Sequence, residues 1–367
     1  FVRGAAQIPE EDLALLMAAA SVVLVAARGT LPQQLGAPAE LPERPEFLAR
    51  KRAPREPSPS LPFMELSYFN SLGGFTPDGR EYAIYLGPGI NTPAPWVNII
   101  ANPTFGTMVS ETGAGFTWYG NSQRNRLTHW SNDPVMDPSS EAIFIRDEET
   151  GACWTPTPSP IREEPAYRAR HGAGYTVFEH NSRGIEQELT VFVPVDENGG
   201  EPVKLQRLLL RNDSSRQRAL SVTYYVEWTL GENRESSQMH VTTSWDDEAR
   251  ALFARNRYHP DYGDRVAFAA MSPPVDSYSG DRTSFLGRNR PMREPAAMEK
   301  TGLSKRTGAG LDPCAALRIT VDLAPGERSE ITCMLGQAGS MDEAHTLVRK
   351  YRENQAFDNA LSGTKTW

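Results

Sequence analysis

Short segments rich in β-branched and aromatic residues, punctuated by Gly, Pro, Asn and Asp, recur from about residue 63 onward. They run Glu81–Leu86, Val97–Ile100, Tyr175–Glu179, Glu186–Pro194, Lys204–Asn212, Leu220–Leu230, Val266–Met271, Ala315–Leu323 and Ser329–Leu335. Turn residues separate them, at Pro77-Asp78-Gly79, Asp196–Gly200, Asn212–Ser215 and Ala324–Glu327. A period of two is the mark of a half-buried strand, and this spacing predicts a large antiparallel sandwich, not a βαβ repeat. The fold class expected is therefore mainly β. The strongest stripe is Leu220, Val222, Tyr224, Val226 and Trp228, all on one face of one strand. The turn at 212–215 predicts that Lys204–Asn212 and Arg218–Trp228 pair as a β-hairpin with a longer loop. The stretch Asp322–Glu327 predicts two more strands joined in the same manner.

Helical periodicity occurs only near the two ends. Leu13 to Ala27 is the one long apolar run, preceded by the acidic turn Pro9–Asp12 and closed by Gly29. It is shorter than the roughly 20 residues of a membrane span and lacks a basic leader, so it predicts a packed helix. Residues 31–60 are rich in proline and read as a linker or extended arm. Asp342 to Phe357 predicts a late helix with Ala344, Leu347, Val348 and Tyr351 on one stripe. Three regions follow: a helix and arm over 1–60, the sandwich over 61–338, and a helical linker over 339–367. Both helices are expected to lack packing partners within the chain. The first residue, Phe1, and the last, Trp367, suggest a segment of something longer.

Charge and composition narrow the function classes. A net charge of -8 and a pI near 5.4 argue against a general nucleic-acid or anionic-membrane binder. The cysteines, Cys153, Cys314 and Cys333, are far apart and show no zinc-ligand spacing, so they read as buried small hydrophobes in a reducing compartment. There is no glycine-rich nucleotide loop and no nucleophile elbow in the sequence.

The stretch from Asn121 to Asp147 gathers Arg, His, Trp, Asn, Asp and Glu between two β-like segments. Polar loops anchored by strands at both ends are common carriers of function. A Trp face and a ring of hydrogen-bonding groups suit a sugar, whose ring faces are apolar and whose edge carries hydroxyls. The plainer reading is a surface loop that satisfies itself. Asp133, Asp137, Glu141 and Asp147 are candidate carboxylates, and a hydrolase needs two of them flanking the scissile bond. Asp133-Pro134 and Asp137-Pro138 read more simply as turn starts. His171 reads as a satisfied structural imidazole, Trp228 as core, and Arg282 as a surface ion-pair partner.

A family resemblance is carried by ordered motifs. They include Gly73-Gly74-Phe75, Thr92–Asn98, Phe105-Gly106, Asn125–Thr128 with Trp130–Val135, Glu227-Trp228, Asp281-Arg282 and Gly308–Ala315. In these the chain resembles the amino-terminal sandwich of the inverting glycoside phosphorylases, relatives of cellobiose and chitobiose phosphorylases. Within them it resembles the phosphorylase-like region of cyclic β-1,2-glucan synthases, over about residues 60 to 367. The resemblance implies a β-supersandwich, a helical linker and then an (α/α)6 barrel that carries the general acid. No position of this chain matches that acid, so no catalytic residue is expected here, and the chain alone is expected to be inactive. No cofactor is implied; inorganic phosphate would be the co-substrate of the complete enzyme.

The partners implied are a β-glucan oligosaccharide and the barrel, with room for a homodimer, and neither nucleic acid nor a membrane span. The parent would work on the cytoplasmic side, in association with the inner membrane. The substrate-contacting residues expected are Arg124, Arg126, Trp130, Asn132 and Asp133, with Trp130 stacking on a glucosyl ring. A stand-alone carbohydrate-binding module and a purely structural or dimerisation domain are the alternatives.

Overall fold

The computed structural model describes residues 8–19, 24, 29–34, 56, 58–353 and 355–366. Two compact units divide the chain, 1–46 and 47–367. In the first, a helix spans Glu10–Ala19, with three carboxylates in its first turn complementing the helix dipole. Leu24 is not helical, and the rest of the apolar run beyond Ala19 lies outside the described residues. Among the described residues, no helix is long and apolar enough to cross a membrane.

The second unit is two large antiparallel sheets. Among the described residues, one sheet has ten strands. In spatial order they are Gly73–Phe75, Glu81–Leu86, Tyr167–Gly172, Tyr175–Ser182, Ile185–Phe192, Val203–Asn212, Arg328–Ala338, Val266–Ser272, Ala251–Asn256 and Val241–Asp246. The other has nine. Seven run in the order Ser277–Asp281, Pro313–Leu323, Arg218–Gly231, Arg126–Thr128, Gly115–Tyr119, Phe105–Ser110 and Val97–Ala101. Glu141–Asp147 also pairs with Arg218–Gly231, and Cys153–Trp154 pairs beyond it. The mainly β sandwich expected from the spacing of these segments is what forms.

The expected hairpin does not form. Val203–Asn212 belongs to the ten-stranded sheet, with Leu208 opposite Ile331, while Arg218–Gly231 belongs to the other, with Val222 opposite Ile319. The chain crosses from sheet to sheet between 212 and 218, and crosses back in the same way between 323 and 328. The reason is burial. Leu208 and Leu210 on one strand and Leu220 and Val222 on the other all join the inter-sheet core, and stacking two sheets buries both apolar faces. Buried Asn212 ties the two crossings together. Its Nδ2 donates to the carbonyls of Arg216 (2.8 Å) and Leu323 (2.9 Å), and its own carbonyl accepts from the Gly326 N–H (2.7 Å).

The core also holds buried polar pairs, among them Trp154 Nε1 donating to Gln187 Oε1 at 3.0 Å and Asn125 Nδ2 donating to Gln337 Oε1 at 2.7 Å. Glu141 and Lys204, from opposite sheets, pair inside it, and Thr117 and Thr128 donate to the same carboxylate at 2.7 and 2.6 Å. The outer face of the ten-stranded sheet is covered by two helices, Met341–Lys350 and Ala356–Thr366, where a single helix was expected. The break is fixed from outside the helix. The Tyr351 hydroxyl bonds Glu201, and the Arg352 guanidinium donates to the carbonyls of Met271, Ala249 and Arg250. The stripe Ala344, Leu347, Val348 and Tyr351 packs on this sheet, so the late helix does have a partner within the chain.

On the outer face of the nine-stranded sheet, Phe285, Leu286 and Met298 lie over Phe144 and Tyr225. The other half of that face stays open. Val97 and Ile99 there are 46% and 56% exposed.

Candidate functional site

The open half of the nine-stranded sheet carries the stretch singled out in the sequence. It is not one long loop. Arg126–Thr128 forms a short strand between Gly115–Tyr119 and the end of Arg218–Gly231. Upstream, the Asn121 side chain accepts from the N–H groups of Gln123 and Arg124, both at 2.9 Å, which fixes the turn. Side chains alternate across this strand. Leu127 enters the core, whereas Arg126 stays on the open face beside Phe116 and Trp130.

The structure brings two of the five expected residues together. The Trp130 ring lies nearly parallel to Phe116, with centroids 5.1 Å apart and planes at 23°. The Arg126 guanidinium stands over the same ring at 5.2 Å and is held by the carbonyls of Ser122 and Glu232, both at 3.0 Å. Phe116 is buried while Trp130 remains half-buried. Trp118 extends the aromatic surface. Its indole lies across Gly106, where a Cβ would come within 2.3 Å of the ring, so only glycine allows that approach.

The other three residues point to different tasks. Arg124 is exposed and pairs with Asp261 at 3.5 Å, and its carbonyl accepts from His259. Asn132 is exposed. The Asp133 carboxylate accepts from the N–H groups of Val135 and Met136, both at 3.0 Å, in the turn-starting role that Asp-Pro suggested.

The four candidate carboxylates part company. Asp137 accepts from Ser110 and Thr112, Glu141 lies inside the core, and Asp147 pairs with Arg218. These positions do not form the two-carboxylate geometry of a hydrolase.

Behind the aromatic platform sits a charged cluster that the sequence reading did not assemble. The His129 N–H donates to the Glu227 carbonyl at 3.2 Å. The Glu227 carboxylate, on a nearly buried side chain, accepts from Arg282 Nε at 2.7 Å and from the Tyr225 hydroxyl at 3.0 Å. Asp312 pairs with both Arg282 and Arg234. Burial works against the charge on Arg282, but Glu227 more than offsets it and holds the guanidinium above its ordinary value. Burial also pushes His129 below its ordinary value, partly opposed by Glu227. Glu227-Trp228, Asp281-Arg282 and Asp312-Pro313 were each among the family-like motifs. Their convergence is a tertiary fact that spacing does not encode. The expectations for His171 and Trp228 hold. His171 contacts Thr176 Oγ1 at 2.9 Å and the Trp96 carbonyl at 3.1 Å, and Trp228 is core.

This arrangement presents a rigid aromatic face, guanidinium donors and a fixed ion-pair network.

Comparison with known proteins places this geometry. The chain is 38% identical over 305 residues to a cyclic beta-(1,2)-glucan synthase, NdvB, of Rhizobium meliloti (strain 1021), covering 83% of this chain and 11% of that protein. It is 28% identical over 301 residues to an N,N'-diacetylchitobiose phosphorylase of Vibrio furnissii, covering 80% and 36%. It is also 28% identical over 284 residues to a 3-O-beta-D-glucopyranosyl-beta-D-glucuronide phosphorylase of Paenibacillus borealis, covering 75% and 34%. The chain therefore spans only a minor part of the length of each of these relatives. The model of the glycosyl hydrolase 94 supersandwich domain matches residues 80–354, which take in all but the first edge strand of the two sheets and the first of the covering helices. On that match, this chain belongs to the glycosyl hydrolase 94 supersandwich family.

Proposed function

We propose that this sandwich is the non-catalytic segment of a phosphorylase-type glycosyltransferase of the cyclic β-1,2-glucan synthase kind, and that it binds β-glucan beside a catalytic (α/α)6 barrel. The observation that carries the reading is the Phe116–Trp130–Arg126 stack. A half-buried indole, stacked on an aromatic ring and with a guanidinium 5.2 Å from its centre, offers a preorganised surface to the C–H face of a glucosyl unit. Arg126 spends two donors on backbone carbonyls. The rest of its fork is available to sugar hydroxyls.

On this reading the general acid and the phosphate site belong to the barrel, and this chain supplies one wall of the cleft. The parent then acts at the cytoplasmic side of the inner membrane. A packing or dimerisation role is favoured by a different feature: Val97, Ile99, Val135 and Met136 expose apolar side chains close to the same platform.

Substituting Trp130 by Ala in the complete enzyme separates the two roles. Loss of the stack is expected to raise KM for linear β-1,2-glucan about tenfold, equivalent to about 1.4 kcal/mol, with the assembly state unchanged. Unaltered kinetics, or a change of assembly state alone, would reject glucan binding at this face.

A further inference from the structure

We infer that the cleft at the sheet-crossing end of the sandwich is a second saccharide site, which takes a neutral hexopyranose unit. The cleft has a volume of about 1040 Å³. Its walls are the turn after Glu141–Asp147, the Asn181–Arg183 turn, the crossing at Arg216–Arg218, and the extended residues Ser58–Leu61. That extended segment is pinned in place. Asn181 Nδ2 donates to the Pro59 carbonyl at 3.3 Å, the Arg183 N–H donates to Ser58 Oγ at 3.1 Å, and Arg168 donates to the Pro62 carbonyl at 2.8 Å.

The guanidinium groups around the cleft are already paired. Arg218 pairs with Asp147 at 2.6 Å, Arg216 with Glu56 at 2.8 Å and Glu149 at 2.6 Å, and Arg183 with Glu163 Oε1 at 2.6 Å. What remains unmet is a set of acceptors. Glu163 Oε2 and Asn181 Oδ1, on two residues that line the cleft, are buried and have no direct hydrogen-bond partner. The Glu163 side chain is only 10% exposed. Behind them His180 Nδ1 lies 3.1 Å from the Ala166 carbonyl, to which it donates. Nε2 stands 3.8 Å from Glu163 Oε2, too far for a direct bond.

Buried acceptors without donors are costly, so the matching ligand must bring O–H groups. Phosphate, sulfate and carboxylate anions bring acceptors and would add to the deficit. A sugar brings several hydroxyls, and Pro59, Pro165 and Leu61 give its C–H faces apolar surface. Hydroxyls that reach these acceptors replace the bonds that water would otherwise make to them.

This site is separate from the aromatic platform. Arg218 and Glu227 lie on the same strand. Nine residues of extended chain place them roughly 30 Å apart. A chain of glucosyl units could thus be held at two ends of one domain.

Calorimetric titration of the 367-residue chain with a linear β-1,2-linked glucooligosaccharide tests this, using Trp130→Ala, Asn181→Ala and Ser60→Trp. Ser60 is exposed at the rim, so the indole blocks the mouth without entering the core. The expected result is that Trp130→Ala retains a binding event. Adding either Asn181→Ala or Ser60→Trp then weakens that event about tenfold, the scale of one lost hydrogen bond to a charged or buried group. Inorganic phosphate should not compete. The proposal is overturned if the retained event is indifferent to both changes, if it is absent from Trp130→Ala, or if phosphate displaces it. Trp130→Ala binding as tightly as the wild type would instead count against the platform alone.

Discussion

Arg282 Nε lies 2.7 Å from Glu227 Oε1, and this contact joins a strand in the middle of the nine-stranded sheet to the segment that covers its outer face. Glu227 is 6% exposed, so removing its cation leaves a carboxylate with little access to water. Arg282→Ala is expected to lower unfolding free energy by about 1–3 kcal/mol. Glu227→Gln, which keeps an acceptor for Tyr225 and Arg282, should cost less. Denaturant melts of both variants check the order. Arg282→Ala behaving like a neutral surface substitution would show that the pair is not structural.

Asn212 makes a second structural prediction. Its amide is the shared clasp of the two sheet crossings, and it is fully buried. Asn212→Ala strips donors from two carbonyls and the acceptor from the Ser214 N–H and hydroxyl. A loss of about 2–3 kcal/mol is expected, from buried groups left unpaired. Asn212→Asp should fall almost as far, because a carboxylate cannot donate to the Arg216 and Leu323 carbonyls. Equilibrium unfolding in urea reads both.

The alternation in Leu220–Trp228 was enough to identify a core strand, because side-chain period and burial are linked locally. It was not enough to say which strand lies beside it. Asn212–Gln217 looks like a hairpin loop, yet the same residues serve a crossing. The choice depends on whether two apolar faces join in one sheet or oppose each other across two, and that is decided by all the strands together. The aromatic site was partly legible for the same reason. Trp130 and Arg126 are close in sequence and lie side by side in the fold. Glu227, Arg282 and Asp312 are widely separated and meet only through sheet pairing. Phe116 is the floor on which Trp130 rests, and nothing in its own strand segment marks it for that position.

His171 supplies a pH dependence. Burial lowers its pKa from about 6.5 to about 4. The imidazole is therefore neutral in the folded chain over a range where the unfolded chain is protonated. The unfolded state binds more protons between these two values, so stability rises with pH across the window and falls as pH drops from about 6.5 to about 4. Below the lower value both states are protonated and the contribution levels off. The slope from this one group is at most about 1.4 kcal/mol per pH unit. His171→Gln should remove that part of the slope while retaining bonds to Thr176 and the Trp96 carbonyl. Denaturation midpoints between pH 4 and 7 for the two proteins give the comparison. Parallel curves would mean that His171 does not titrate between the states.

Arg126 is the clamp on the aromatic platform, and lysine is a poor substitute for it. The guanidinium reaches Ser122 and Glu232 carbonyls from different nitrogens while its carbon stands 5.2 Å from the centre of the Trp130 ring. An ammonium is a single point of contact without that flat surface. Arg126→Lys keeps the charge, so long-range attraction is unchanged and only preorganisation is lost. Global stability is expected to fall by no more than about 1 kcal/mol, the scale of one exposed cation–π contact. Amide exchange across 122–131 should nevertheless accelerate, and affinity for the glucooligosaccharide should drop with it. A variant that loosens the segment but binds normally would show that the platform need not be rigid. A variant that binds weakly with exchange unchanged would assign Arg126 to direct ligand contact.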